Sequence, residues 1–376
     1  MTKKRLGHKF ILLIFFVVIC CTEISWLFLS QFINTENYEN RELTTKPVFT
    51  LENYGTYATD FETYYNDNMP FRNLLIALNS KIDFFVFNKS TSEQVIKGKD
   101  GWLFISDTLN DYKKNNLYSE EELEIIKRDA LMTKAYFDEK GIEFIIFIGP
   151  NKSSVYGDYM PSYYEKSDGM SRTEQIVKYL KENTDITVIY PKEELLKARE
   201  VYPELTLFFK LDTHWNYMGG YFGAQPLLKS LGIKTNNFSN ISYEQINEPI
   251  FFWNGYDLAR MLGLSDVLNK DINYHLYGYS NNRVTYEGDA RNNVEDFNGV
   301  VKTKSSAEDN RKVFLARDSF GESITPYLAA EFSEIYSVHR ASLTKSQIDA
   351  ERPDIFIFEA VEREGLGGLN VENWAE

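Results

Sequence analysis

The sequence predicts an α/β fold with a mostly parallel sheet covered by helices on both faces, and three observations carry that expectation. Short apolar runs without internal alternation recur along the chain, as strands buried on both faces require. Amphipathic stretches opened by helix-capping pairs lie between them. The two kinds of segment alternate, which is the order of a parallel sheet with crossover helices. A basic and then apolar segment precedes them, and it reads as one N-terminal transmembrane helix.

In that first segment Lys3, Lys4, Arg5 and Lys9 precede an apolar run over 10–21, and after Thr22-Glu23 apolar character resumes over 24–29. A bilayer core asks for about 20 such residues, and the basic flank sets the N-terminus on the cytoplasmic side. Residues 1–33 are therefore expected to be a signal-anchor. A cleavable signal peptide is the second reading, but no small-x-small cleavage site follows the apolar core. Bulky Ile19 before Cys20 argues against a lipoprotein signal. Both cysteines, Cys20 and Cys21, fall in this span, so the rest of the chain has no disulfide framework, thiolate zinc site or thiol nucleophile.

Residues 34–97 read as a membrane-proximal arm, with a polar opening, an aromatic-rich stretch over 57–65, the turn Asn68-Met69-Pro70 and a helix over 74–87. The main domain, 98–376, is entered through Gly98-Lys99-Asp100-Gly101-Trp102-Leu103-Phe104, a turn and then a strand. Ser119 with Glu122 forms a capping box for a helix whose apolar face is Leu123, Ile126, Ala130 and Phe137, stopped at Gly141. A buried strand over 144–148 follows. Ser171 with Glu174 opens the next helix, 186–190 is the next strand, and Pro191 stands at a first helical position. Strands over 313–316, 335–338 and 354–358 complete the sheet. Residues 234–310 break the rhythm, being rich in Asn, Tyr and Gly and long for a connection. They are expected to form an insertion near the mouth of the site, with Tyr256 and Asp257 as candidate substrate contacts beside the plainer structural role open to each.

The chain has 376 residues with 43% hydrophobic and 15% aromatic content, enough for an ordinary core. A net charge of −14 without a basic cluster excludes nucleic acid as an expected partner. Lone histidines and scattered acids show no metal-ligand spacing, and no Gly-x-Gly-x-x-Gly or phosphate-loop pattern occurs, so neither metal nor cofactor is expected.

Two motifs hold the chemistry. Ser319, in Arg317-Asp318-Ser319-Phe320-Gly321, follows a buried strand, and Thr325-Pro326 offers the cap and first position of the next helix. Such a turn exposes a hydroxyl at the sheet's carboxyl edge beside free backbone N–H groups. Lys210-Leu211-Asp212-Thr213-His214-Trp215-Asn216 supplies what that hydroxyl needs: a base to take its proton and a carboxylate to orient the imidazole. Asp212 and Asn216 also suit a helix cap, with His214 packed on Trp215. Of the other histidines, His8 lies in the N-terminal flank, His275 in an aromatic loop, and His339 beside Arg340 without an adjacent carboxylate.

With the N-terminal segment, Gly98 to Phe104, Pro150-Asn151-Lys152, Asp212-Thr213-His214-Trp215, Asp318-Ser319-Phe320 and Glu359-Ala360-Val361-Glu362-Arg363 in this order, the chain resembles the SGNH-hydrolase-like family of alginate-type O-acetyltransferases, including related DHHW-type proteins of bacterial surfaces. The resemblance implies a three-layer α/β/α sandwich on the outer face of a cell membrane. It assigns Asp212 as orienter, His214 as base and Ser319 as nucleophile of an acyl-serine transfer onto an exported polysaccharide. A multi-spanning membrane O-acyltransferase is the implied acetyl supplier. Arg317 stands where a glycine often precedes Asp-Ser, so it either crowds the turn or contacts an anionic substrate. The Ser319 N–H and the Asn151 side chain are the expected oxyanion donors. An esterase with the same triad, and a glycan-binding or assembly protein without catalysis, remain alternatives.

Overall fold

The computed structural model describes residues 3–29, 43–235, 237–249, 255–287 and 299–376. The chain divides into two compact units, Met1–Glu93 with Ala259–Val267, and Gln94–Leu258 with Leu268–Glu376. The start of the expected arm (34–42), Asn254 and parts of the expected insertion (236, 250–254, 288–298) lie outside the described residues.

In the first unit, α1 is Lys3–Leu29, α2 Tyr57–Asp67 and α3 Arg72–Phe85. Asp67 takes hydrogen bonds from the Thr44 N–H and hydroxyl at 2.9 and 2.6 Å, which fixes the strap before α2. The basic-apolar segment is helical as expected, and the side chains from Phe10 to Val17 are exposed. Among the described residues no helix is long and apolar enough to cross a membrane. The physical reason is in the sequence: Thr22-Glu23 cuts the apolar stretch short of the about 20 residues a bilayer core needs.

The second unit opens with the hairpin of β1 (Val95–Lys97) and β2 (Leu103–Ile105). Asp100 and Gly101 turn it with φ of 52° and 81°, left-handed values that Gly101 meets without Cβ strain. The main sheet is built from β3 (Glu143–Gly149), β4 (Thr187–Ile189), β7 (Val284–Glu287), β8 (Val301–Ser305), β9 (Asp309–Arg317), β10 (Phe332–His339) and β11 (Ile355–Val361), in the order β4-β3-β11-β9-β10-β8-β7. The first five are parallel, and β8 and β7 add an antiparallel edge. A separate pair, β5 (Ser242–Ile246) with β6 (Asn273–Tyr277), lies within the 234–310 segment.

Neighbouring residues along each central strand feed two different cores. Phe144, Ile146, Phe314, Ala316, Phe356 and Phe358 pack with Leu123, Ala130 and Phe137 of α5 (Glu120–Asp138), Ile176 and Leu180 of α7 (Arg172–Asn183) and Ile348 of α12 (Lys345–Glu351). Ile145, Phe147, Val313, Leu315, Ile355 and Ile357 pack instead with α8 (Lys192–Val201), α9 (Tyr217–Ser230) and α11 (Gly321–Ala329). The period-two alternation of strand side chains thus produces three layers from uniformly apolar runs. The capping boxes at Ser119 and Ser171 form as the sequence predicts. Short α4 (Leu109–Lys113) and α6 (Lys152–Val155) pack together near the carboxyl end of β3, and α10 (Asp257–Met261) begins where the second unit passes into the first.

Two local expectations change. The helix after Ser319 begins at Gly321, and Pro326 lies inside it. The missing Pro326 N–H is tolerated there while the Thr325 hydroxyl donates 2.7 Å to the Gly321 carbonyl. The strands β7 and β8 were hidden because VTYE, on the edge of the sheet, and VKTKS, next to it, are largely polar.

Candidate active site

The site lies beyond the carboxyl ends of the strands, where loops after β3, β9 and β11 meet the segment before α9. A buried isolated bridge between Phe208 and Trp215 closes residues 209–214 into a tight loop. Asn216 caps α9, its side-chain oxygen accepting from the Gly219 N–H at 3.0 Å. Capping is therefore carried by Asn216, which leaves Asp212 to the imidazole.

His214 Nδ1 lies 2.5 Å from Asp212 Oδ1, and its Nε2 lies 2.7 Å from Ser319 Oγ. The carboxylate fixes the proton on Nδ1, so Nε2 presents a lone pair to the hydroxyl. The His214 backbone N–H also donates to Asp212 Oδ1 at 2.9 Å. Asp212, Thr213 and His214 are buried, while Ser319 is half-buried and can be reached. The structure thus brings Ser319 to a His-Asp pair 105 residues away in sequence.

Asp257 joins them from the far side. Its carboxylate accepts from the Thr213 N–H at 2.7 Å and hydroxyl at 2.5 Å, its own N–H donates to Asp212 Oδ2 at 2.8 Å, and it lies 3.9 Å from His214 Nδ1. Burial pushes the Asp212 carboxyl up, but the His214 charge and the hydrogen bonds to it outweigh this and hold it below the usual range. Asp257 ends higher than an ordinary carboxyl, through burial and the neighbouring Asp212 charge. Burial lowers the His214 imidazole, yet Asp212 and then Asp257 raise it net above the ordinary value, against a small opposing effect of Arg363. Asp212, His214 and Asp257 are also the one group among the described residues whose ligating atoms are close enough, within 4.8 Å, to share a metal ion. Their internal hydrogen bonds already engage His214 Nδ1 and both carboxylates.

Lys152, named only as part of a motif in the sequence, clamps this loop. Its buried Nζ donates to the carbonyls of Phe209, Lys210 and Asp212 at 3.0, 3.2 and 2.6 Å. Burial lowers it to about 8 against the pull of Asp257, Asp271 and Asp212. Asp271, pushed up to about 6 chiefly by burial, holds the Leu211 N–H at 2.7 Å. Lys152→Met removes three charge-assisted bonds and leaves those carboxylates uncompensated. A loss of about 3 kcal/mol or more is expected, read as a lower urea midpoint with unchanged slope.

On the serine side, Asp318 shapes the turn. Its carboxylate accepts from the N–H of Phe320 at 2.8 Å and of Val361 at 2.7 Å, while its own N–H donates to Glu359 at 2.9 Å. Glu359 is fully buried and raised well above a usual carboxyl by burial and by Asp318. Trp215 ties the two halves, its indole N–H donating 3.0 Å to the Phe320 carbonyl. Among the described residues the Ser319 N–H has no hydrogen-bond partner, as an oxyanion donor requires.

The other candidates divide. The Asn151 N–H is held by Glu362 at 2.8 Å and one of the two protons on its side-chain Nδ2 by Asp111 at 3.2 Å, which fixes the buried amide and leaves its second proton for another acceptor. Arg317 is wholly buried, donates 2.9 Å to the Ser337 hydroxyl and pairs with Glu322. Its side chain thus runs to β10 and to the first turn of α11, where a carboxylate already matches its charge. Tyr256 is also buried, with its hydroxyl accepting from the Asp271 N–H at 3.1 Å, the structural role that was open to it. His339 uses its Nδ1 to accept from the Ala341 N–H at 3.2 Å. Arg363, quoted only within a motif, lies with its guanidinium 5.3 Å from the centre of the Phe320 ring. One missed signal was readable: Glu359 interrupts an otherwise apolar buried strand, IFIFEAV, where an ionisable group needs a structural reason.

Residues 95–274 match the model of the SGNH hydrolase-like domain of acetyltransferase AlgX. The match contains Asp212, His214 and Asp257, and Ser319 follows it. A protein named probable alginate O-acetylase AlgJ from Pseudomonas syringae pv. tomato is 26% identical over 179 residues, 46% of this chain and 42% of its own length. The protein of the same name from Pseudomonas fluorescens is 22% identical over 184 residues, 48% of this chain and 44% of its own. The chain thus spans less than half the length of the curated relatives it matches. In three dimensions Bacillus cereus PatB1 carrying a sulfonyl adduct superposes with a TM-score of 0.52 at 14% identity, covering 75% of this chain and all of that one, a likeness of fold. The family likeness drawn from the motifs holds, with an SGNH-like α/β fold built on a mixed sheet.

Proposed function

We propose that this chain is an O-acetyltransferase that moves an acetyl group through Ser319 onto hydroxyls of a cell-surface or exported polysaccharide. The observation that carries the proposal is the unbroken hydrogen-bonded line Asp212, His214, Ser319 at 2.5 and 2.7 Å. The likeness to proteins named alginate O-acetylases supports the acetyl group and the glycan acceptor. His214 Nε2 takes the Ser319 proton as Oγ bonds to the acetyl carbonyl carbon. The oxyanion forms against the Ser319 N–H. Collapse expels the donor's leaving group, which receives the proton from His214, and leaves acetyl-Ser319. A sugar hydroxyl then gives its proton to His214 and attacks the ester, and Ser319 recovers the proton as it departs.

The proposal places this chemistry outside the cytoplasm, with residues 1–33 as the attachment to the membrane and a membrane-bound O-acyltransferase as acetyl supplier. The basic flank and exposed apolar side chains of α1 support the attachment. Release of the full chain from membranes by alkaline carbonate would sink it.

The direct test incubates the protein with an activated acetyl ester and oligosaccharides. Acetyl-Ser319 followed by acetylated sugar supports the transferase, and free acetate at the same rate with or without sugar makes the chain an esterase. An inert protein that still binds glycan overturns both. The pH dependence follows from His214. Only the neutral imidazole accepts the proton, and its pKa is raised, so activity is expected to fall with acid at a midpoint above 6.5. In Asp212→Asn the residual activity should lose that limb toward lower pH, because the charge that raises the imidazole is gone.

A further inference from the structure

A cleft of about 410 Å³ lies beside α4, α6 and α8 and is lined by Tyr112, Ser154, Asp158, Lys166, Lys192 and Arg199. Arg199 is paired with Asp158 at 2.9 Å, and Lys192 with Glu174. Lys166 has no carboxylate partner among the described residues. Its ammonium sits 5.3 Å from the centre of the Tyr112 ring. Burial, and then the charges of Lys114 and Lys192, hold it below the usual lysine value. Lys113 lies in the same way 5.1 Å from the centre of the Tyr164 ring, and its carbonyl accepts from the Ser167 N–H at 3.0 Å, which draws the segment after Lys166 onto the end of α4.

In a chain of net charge −14, Lys166 thus stands beside two other cations, Lys114 and Lys192, without an ion pair of its own among the described residues, while the Arg199 and Lys192 charges are each matched by one carboxylate. An oxyanion placed against Lys166 would relieve the repulsion from Lys114 and Lys192, and the Tyr112 ring on the wall offers a surface beside it for a sugar. The cleft is also tied to the candidate site. Ser154 on its wall donates 2.7 Å to Glu362, the neighbouring Arg363 packs on the Phe320 ring, and Phe320 follows Ser319.

We propose that this cleft binds an anionic saccharide, through a carboxylate or phosphate held at Lys166 and Lys192, and so docks the acceptor chain whose hydroxyl reaches Ser319. The docking role rests on the acetyltransferase reading, whereas the binding does not. The test is calorimetric titration of the full-length protein with hexagalacturonate, glucose 6-phosphate and maltohexaose at low salt. One of the two anionic probes is expected to bind at least about ten-fold more tightly than maltohexaose. Which of the two binds identifies the anion. Lys166→Ala should weaken that binding by at least about ten-fold with an unchanged melting temperature, Lys166→Arg should restore most of it, and the affinity should fall steeply with salt. Equal binding of charged and neutral probes, or unchanged affinity in Lys166→Ala, overturns the inference. Formation of acetyl-Ser319 in the unaltered protein reports on the transferase reading by itself, so either idea can fail alone.

Discussion

Ser319→Ala is expected to abolish the acetyl-enzyme and to lower acetyl transfer by roughly 10⁴- to 10⁶-fold, the range seen when the nucleophile of a Ser-His-Asp unit is removed. The geometry makes the size of the effect specific. The hydroxyl lies 2.7 Å from a histidine whose far nitrogen is already bound to Asp212, so base and nucleophile act as one unit. His214→Ala should therefore cost about as much as Ser319→Ala, and the double variant little more than either. Mass spectrometry of the intact protein after exposure to an activated acetyl ester reads the adduct directly, and stopped-time assays read the transfer. An acetyl adduct that persists in Ser319→Ala, or double-variant losses that multiply, would remove Ser319 and His214 from the reaction. The fold should survive Ser319→Ala, since Ser319 is half-buried, whereas His214→Ala uncovers the buried Asp212 carboxylate and is expected to lower the urea midpoint as well, which a denaturation curve reads separately from the adduct.

The sequence exposed the parts of this arrangement that local chemistry controls. Strands β3, β9 and β11 were readable because burial on both faces demands uninterrupted apolar residues. Asp212 and His214 were readable because two residues of spacing place a carboxylate beside an imidazole on a turn. What stayed hidden depends on contacts far apart in the chain. Lys152 is 60 residues from the Asp212 carbonyl it holds, and nothing near Lys152 announces that partner. The partners of Arg317, Ser337 and Glu322, are set by the pairing of β9 with β10 and by the start of α11, which its neighbours in sequence do not announce. Nothing near Asn151 announces that Asp111, 40 residues away, takes one proton of its amide. Asp257 could be suspected from its place in the loop-rich segment, but only the structure sets it against Thr213 and 3.9 Å from the imidazole. The strands β7 and β8 escaped for the opposite reason, since the polar end of the sheet has no apolar run to read.

Gly220→Ala is the second large expected effect, and it acts on the distance between base and nucleophile instead of on either group. Gly220 lies in the first turn of α9, four residues after His214's neighbour Asn216, and faces the first turn of α11, which begins two residues after Ser319. A Cβ on Gly220 would stand 2.3 Å from the Ser323 carbonyl oxygen and 2.8 Å from its carbon. These are backbone atoms of a helix, so no rotamer change relieves the clash, and α9 must move away from α11. Overpacking of this kind costs about 3 kcal/mol, expected as a lower urea midpoint. The larger consequence is catalytic. His214 is joined to α9 through Trp215 and Asn216, and Ser319 to α11 through Phe320. A shift of about 1 Å between the helices therefore opens the 2.7 Å contact on which proton transfer depends, and such a displacement costs roughly 100-fold in rate. Gly367→Ala is the matched control, because its Cβ would meet nothing nearer than the Glu364 carbonyl oxygen at 3.7 Å. If Gly220→Ala keeps full activity and stability, the close approach of α9 and α11 is not what holds His214 against Ser319.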